Sequence, residues 1–361
     1  MIQLQNKINN NFFSNDNNPN HQKSLDGLRG IAVLMVLLSH SSNNDIYFFN
    51  LNFSGVGTFG VFLFFLLSSY LLDRQIAKSL IEQKTNKSYW INYLLRRFMR
   101  IYPLFITMLI FWYLLHLLGL ENVISSPKQI VQHLLLLKGE NIFWSIPVEF
   151  KYYILSPFLM IIFSRVFVWK KKYINIFIFS FFFISIIFSI FFNIGRISTF
   201  KYLPIFLVGT LISIYELLYF KKLHKVKFFK LLGILSISII FILTPSFWEF
   251  LFPHYNYFFH KPIFYLLFAV LWGIVLISAR AGGLLNKIFE FKFLRFIGII
   301  SFSAYLIHIP ILRLITLIDY VPQNYKFYIF IFLTLLFSSI SYLLIEKPLS
   351  LIRYNNKFEW K

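Results

Sequence analysis

The sequence predicts an all-α membrane protein of about ten transmembrane helices, with both termini cytoplasmic. Three observations carry this. First, 58% of the 361 residues are hydrophobic and 21% aromatic, with mean hydropathy +0.68. A soluble domain is about 45–50% apolar, and a water-facing surface this rich in Phe, Ile and Leu would aggregate. Second, windows long and apolar enough to span a bilayer fall at 27–46, 55–72, 101–119, 142–164, 174–193, 202–220, 231–251, 262–279, 296–317 and 327–345. Third, with the N-terminus inside, the segments assigned to the cytoplasm hold 27 of the 35 Lys and Arg, as the positive-inside rule requires.

The net charge of +21 then follows from topology and attraction to anionic membrane lipid, and nucleic acid is not expected as a partner. With no cysteine, disulfides, thiolate zinc sites and a cysteine nucleophile are excluded. His21, His116, His133, His224, His254 and His260 show no ligand spacing, so no metal site is expected. Residues 1–23 are Asn-rich without an apolar core. They fail as a signal peptide and read as an unstructured cytoplasmic tail. Residues 24–348 read as one transmembrane domain and 349–361 as a short basic tail. No repeat of the kind found in many transporters is visible.

The opening span begins SLDGLRGIAVLMVLLSH, residues 24–40. Eleven residues at 100° each overshoot three turns by about 20°, so Arg29 and His40 share a face about 16 Å apart. To cross a bilayer this helix must take SHSSNN (39–44) against protein or a watery cavity. Taken singly, Arg29 also reads as a basic flank and His40 as an interfacial residue; the aligned pair points to a cavity.

Next, YWINYLLRRFMRIYP (89–103) puts Arg97 and Arg100 on one helical face with Arg96 beside them. Paired guanidinium forks match phosphate oxygens; positive-inside charge is the plainer reading. In NIFWSIPVEFKYYILSP (141–157), Glu149 is a carboxylate inside a span, with Tyr152 and Tyr153 one turn on and Pro147 loosening the helix before it. An intramembrane carboxylate is a functional candidate by default, and a buried pair with Lys151 or another cation is the alternative. The spans from 174 to 279 are largely apolar. In SFSAYLIHIPIL (301–312), Tyr305 and His308 lie three apart on one face. They suit cavity lining, or hydrogen bonds between packed helices.

Over Ser24 to Pro348, these motifs resemble acyltransferase family 3, integral membrane O-acyltransferases. Arg29 and His40 match the family's Arg, ten residues, His pattern. Arg97 and Arg100 match its Arg-x-x-Arg, and WSIPVEFKYY its tryptophan-serine-to-glutamate segment with Glu149 at the acidic position. SFSAYLIHIP and LLIEKP (343–348) match its late motifs. Departures are Phe62 for an acidic residue and Ser69 for a glycine in the second span, and Phe150 where a second glutamate is common. They bear on acceptor identity and pocket shape more than on reaction class. The sequence given carries no hydrolase-like extracytoplasmic domain such as some members have, so the expectation is a stand-alone membrane domain.

The resemblance implies transfer of an acyl group, most often acetyl, from cytoplasmic acetyl-CoA or another acyl-CoA to a hydroxyl of a surface polysaccharide or glycolipid, at a bacterial plasma membrane. The donor is a substrate, and no permanently bound cofactor is expected. His40 is the side chain of the opening span that exchanges a proton near neutral pH, as general base or transient acyl carrier. Glu149 would orient the imidazole, Arg29 hold a donor phosphate or an oxyanion, and Arg97 and Arg100 bind the donor. Tyr153, Tyr305 and His308 are candidate cavity lining. The rival is a proton-coupled transporter or flippase for a glycan or lipid-linked sugar, which a buried Arg, His and Glu also suit.

Overall fold

The structure is a computed structural model describing residues 11–17, 21–192, 194–219, 228–318 and 320–354. Its described elements are helices, with one isolated bridge between Phe48 and Leu51. Among the described residues, seven helices are long and apolar enough to cross a membrane, or nine if two bent pairs each count as one span. The opening helix, α1 (Lys23–Ser42), corresponds to the first expected span, 27–46. Its polar residues keep it out of that set.

Contacts divide the chain into two compact units, residues 1–67 with 220–339 and residues 68–219 with 340–361. The first unit is centred on α1. The other helices are numbered onward from it: α2 (Gly57–Ile81), α3 (Lys87–Leu117), α4 (Pro127–Leu134), α5 (Ser145–Arg165), α6 (Lys171–Phe191) and α7 (Thr199–Ile214). They continue with α8 (Phe228–Ile242), α9 (Pro245–Leu251), α10 (Tyr265–Arg280), α11 (Leu284–Phe289), α12 (Lys292–Ile299), α13 (Ser301–Thr316) and α14 (Gln323–Ser341).

In the first unit, α1 buries Leu25, Leu28, Ala32, Val33, Met35, Val36 and Leu37, packing against α10 to α13. Its glycines set the approach. A Cβ on Gly298 would lie 1.7 Å from the Asp26 carbonyl oxygen, and one on Gly27 would lie 1.9 Å from that of Phe289. Backbone meets backbone here, so neither neighbour can yield by turning a side chain. Gly298→Ala is therefore expected to destabilise the protein by about 1–3 kcal/mol, as overpacked interiors do, seen as a lower thermal midpoint in detergent.

Two expected straight spans are broken. Helices α8 and α9 meet at 80° and α12 and α13 at 76°. The first break falls at Thr244, with Pro245 opening α9, the first-turn position where proline's missing N–H is no loss. The second falls at Ile300, whose φ of −88° and ψ of 10° leave the helical region.

The expected unstructured tail over 1–23 falls partly on residues 1–10 and 18–20, outside the described set. The described part carries a 3-10 turn at Ser14–Asn17. Asp16 pairs with Arg295, the Arg295 guanidinium lies 5.0 Å from the Phe13 ring, and Phe12 packs edge-on against Phe296. Burial raises the Asp16 pKa, but the Arg295 hydrogen bond and the charges of Arg295, Lys23 and His21 outweigh it and hold the carboxyl below its ordinary value. Of the short basic tail expected at 349–361, residues 355–361 also lie outside the described set.

The second unit packs α5 and α6 on α7, and α3 against α4 and the π turn Tyr342–Glu346. Pro147 is the third residue of α5, which follows directly on a 3-10 turn (Asn141–Trp144). Asn86 caps α3 by accepting the Tyr89 N–H at 2.8 Å.

Candidate active site

The polar residues singled out in the sequence gather into two clusters, one in each unit. In the first unit α1 carries Arg29 and His40. Arg29 lies 3.4 Å from Asp26 one turn earlier, and Asp26 also takes the His21 ring nitrogen at 2.8 Å. Asp26 is 5% exposed, so its charge needs these partners. At the other end of α1 the His40 ring lies 5.1 Å from that of His308 on α13, and Tyr305 packs 6.1 Å from His308. The sequence brings these together through helical period on α1 and α13 and the packing of those two helices.

The polar end of α1 is held by protein. Ser39, Ser41 and Ser42 are buried, Ser41 donates to the Leu38 carbonyl at 3.0 Å, and Ser42 Oγ accepts the Phe53 N–H at 3.0 Å. The helix stops at Ser42, and Asn43 and Asn44 are exposed.

The second cluster forms on α3 and α5. Glu149 accepts hydrogen bonds from Ser68 and from Tyr153, the latter at 2.5 Å. The Arg97 guanidinium lies 5.5 Å from the Tyr153 ring and 5.9 Å from that of Tyr93. Arg97 interacts electrostatically with Glu149 and Arg100, and Tyr153 with both arginines. Arg96 interacts electrostatically with Arg97 and Arg353. Two nitrogens of this cluster, Arg96 Nη2 and Arg97 Nε, are buried without a hydrogen-bond partner. Lys151 does not serve Glu149: its ammonium donates to the Ile197 carbonyl at 3.4 Å.

Besides Asp26, the buried carboxylates of Asp73 and Glu216 were not anticipated. Asp73, at 0% exposure, accepts from Tyr152 at 2.6 Å, from Thr210 at 2.5 Å and from Ser156. Glu216 accepts from Tyr70 at 2.6 Å and pairs with Arg74 at 2.9 Å. The signal for Asp73 was the LLDR sequence closing the second span, read there as the start of a cytoplasmic segment. Phe62, in the place of the family's acidic residue, packs instead among Phe59, Tyr265 and Phe268. Among the described residues no group of His, Asp and Glu is placed to hold a metal ion.

An all-helical chain with this many apolar helices and two polar clusters within them defines a multi-pass membrane protein. The family model described as "Acyltransferase domain", acyltransferase family 3, matches residues 22–345. The chain belongs to that family. Among curated proteins it is similar to "Peptidoglycan O-acetyltransferase OatA" of Listeria monocytogenes, 25% identical over 93% of this chain and 57% of the relative. It is also similar to "O-acetyltransferase OatA" of Staphylococcus aureus, 26% identical over 92% of this chain and 57% of the relative. The chain thus spans little more than half the length of the curated relatives it matches. No solved structure matches it.

Proposed function

We propose that the protein is a membrane O-acetyltransferase that moves an acetyl group from acetyl-CoA to a hydroxyl of a surface glycan or glycolipid. Family membership supports acyl transfer as the reaction class. The observation that carries the donor assignment is the pair of buried, unpartnered guanidinium nitrogens on Arg96 and Arg97, in a cluster that also contains Arg100 and Arg353. Unpartnered buried donors are costly; phosphate oxygens satisfy them by charge-assisted hydrogen bonds. A coenzyme A donor carries several phosphate charges. Peptidoglycan is one acceptor of the right chemistry, since one relative is named for it, and relatives from bacteria support a bacterial plasma membrane.

In the proposed step His40 takes the proton of the acceptor hydroxyl as its oxygen attacks the thioester carbonyl. A C–O bond forms, the C–S bond breaks, and the coenzyme A thiolate leaves and takes up the proton. As a carrier, His40 would instead attack the thioester carbonyl and expel the coenzyme A thiolate, then pass the acyl group to the acceptor hydroxyl, whose proton ends on the thiolate. Tyr153, held by Glu149 and covered by Arg97, gives the donor cluster a fixed aromatic wall.

The test is to supply acetyl-labelled acetyl-CoA to membranes containing the full chain. Label entering polysaccharide or glycolipid, and absent from membranes lacking the protein, is expected. Label remaining in coenzyme A under conditions where a glycan still crosses the membrane would overturn the reading in favour of the transporter.

A further inference from the structure

His308 stands apart from the other buried polar side chains of the first unit, because its satisfied half fixes the state of its unsatisfied half. It lies on α13 at 0% exposure. Its Nδ1 is 3.1 Å from the carbonyl oxygen of Ala304, one turn earlier on the same helix. A carbonyl oxygen only accepts, so Nδ1 carries the proton, and in the neutral ring Nε2 is then a bare lone pair. That Nε2 is buried and has no hydrogen-bond partner. A histidine serving only to join packed helices would have both nitrogens engaged, since a buried unsatisfied acceptor costs about 1–3 kcal/mol.

The neighbour able to engage it is His40. The two rings are 5.1 Å apart and tilted by 58°, and the two imidazoles interact electrostatically. Of the other titratable groups on α1, α12 and α13, Lys292 and Arg313 are exposed and Lys23 pairs with Asp16. Tyr305 lies 6.1 Å from His308 on the same helix. On α1, Asp26 and Arg29 pair with each other at the far end of the helix, and Arg295 of α12 is held by Asp16.

We propose that His308 is a positioning residue for His40, its bare Nε2 accepting an N–H of the His40 ring. The inference rests on the reading of His40 as the proton acceptor of the reaction. Before the chemical step, the contact fixes the His40 tautomer: the nitrogen facing His308 keeps its hydrogen, and the other presents its lone pair to the acceptor hydroxyl. When His40 takes the hydroxyl proton it becomes imidazolium with two N–H donors, and Nε2 of His308 receives one of them. No second charge is introduced, and the proton returns from His40 to the departing thiolate. In this arrangement a neutral imidazole does for His40 what a carboxylate does in a serine hydrolase triad.

The experiment compares purified full-length wild type, His308→Phe and His308→Gln in acetyl transfer from acetyl-CoA, with kcat, KM and the pH profile of kcat/KM measured for each. Phenylalanine keeps a planar ring, somewhat larger than imidazole, and removes the acceptor. It is expected to lower kcat about ten- to hundred-fold, the worth of a hydrogen bond to a charged group, with KM for acetyl-CoA unchanged. The acidic limb of the profile should move to lower pH, because an imidazolium deprived of an acceptor loses its proton more readily. Glutamine, whose amide oxygen restores an acceptor, should recover most of the rate and return the limb. A wild-type rate and an unmoved limb in His308→Phe would overturn the inference. So would equal losses in both variants, with lowered thermal midpoints and an unmoved limb, which would assign His308 to packing. Wild-type transfer by His40→Ala is a separate outcome: it would remove the reading of His40 itself, whatever the His308 variants do.

Discussion

His40→Ala is expected to abolish acetyl transfer, lowering the rate by at least about 10²–10⁴-fold, the usual contribution of a general base, while the protein still inserts and accumulates. Chemistry and geometry single this residue out. On α1 it is the side chain that exchanges a proton near neutral pH, and it lies within reach of a second imidazole on α13. Alanine removes the ring from a helix end whose serines are tied to backbone by their own hydrogen bonds, so the local fold should persist. His40→Gln should be equally inactive, because an amide keeps hydrogen bonding but cannot take the proton. The measurement is label transferred to glycan per mole of protein, with accumulation checked by quantitative blotting. Near-wild-type transfer by a well-accumulated alanine variant would remove His40 from the chemistry.

What the sequence made legible, and what it hid, divides along the range of the interactions. Arg29 and His40 fall on one face because helical period alone places them, and Tyr305 and His308 pair for the same reason. Composition sufficed for the all-helical class. Averaging over a window of about 20 residues detects a span but smooths over a single bend, so the breaks at Thr244 and Ile300 went unseen. Asp73 stayed hidden because its burial depends on Tyr152, Ser156 and Thr210, which are 79, 83 and 137 positions away. A basic stretch follows it at once, so the positive-inside rule drew it out of the membrane. Asp26 was passed over for a related reason. Arg29 reaches it along α1, but His21 and Arg295 approach from outside that helix, at a helix crossing whose closeness is set by Gly27 and Gly298. For Glu149 the sequence suggested Lys151 or another cation as the alternative partner; the fold supplies hydrogen bonds from Ser68 and Tyr153 and an electrostatic interaction with Arg97.

Arg97→Lys and Arg100→Lys are each expected to weaken acetyl-CoA binding about ten- to hundred-fold, the equivalent of one charged hydrogen bond of about 1.5–3 kcal/mol. The substitution preserves the positive charge that the positive-inside rule counts, so insertion and orientation should be unchanged. It removes the planar, two-pronged donor that suits a phosphate group. At Arg97 it removes more. The guanidinium lies 5.5 Å from the Tyr153 ring and 5.9 Å from that of Tyr93, and its Nε–H is buried and unpartnered. A lysine ammonium has no counterpart to that N–H along its stem and, being more strongly hydrated, takes the buried position less readily. The Arg97 variant should therefore show the larger loss. A donor site built from guanidinium forks distinguishes Arg from Lys, whereas a topological signal does not. The measurement is acetyl-CoA affinity in detergent-solubilised protein, wild type against each lysine variant, with orientation checked by protease accessibility. Unchanged affinity in both correctly oriented variants would mean that these arginines set topology and that the donor binds elsewhere.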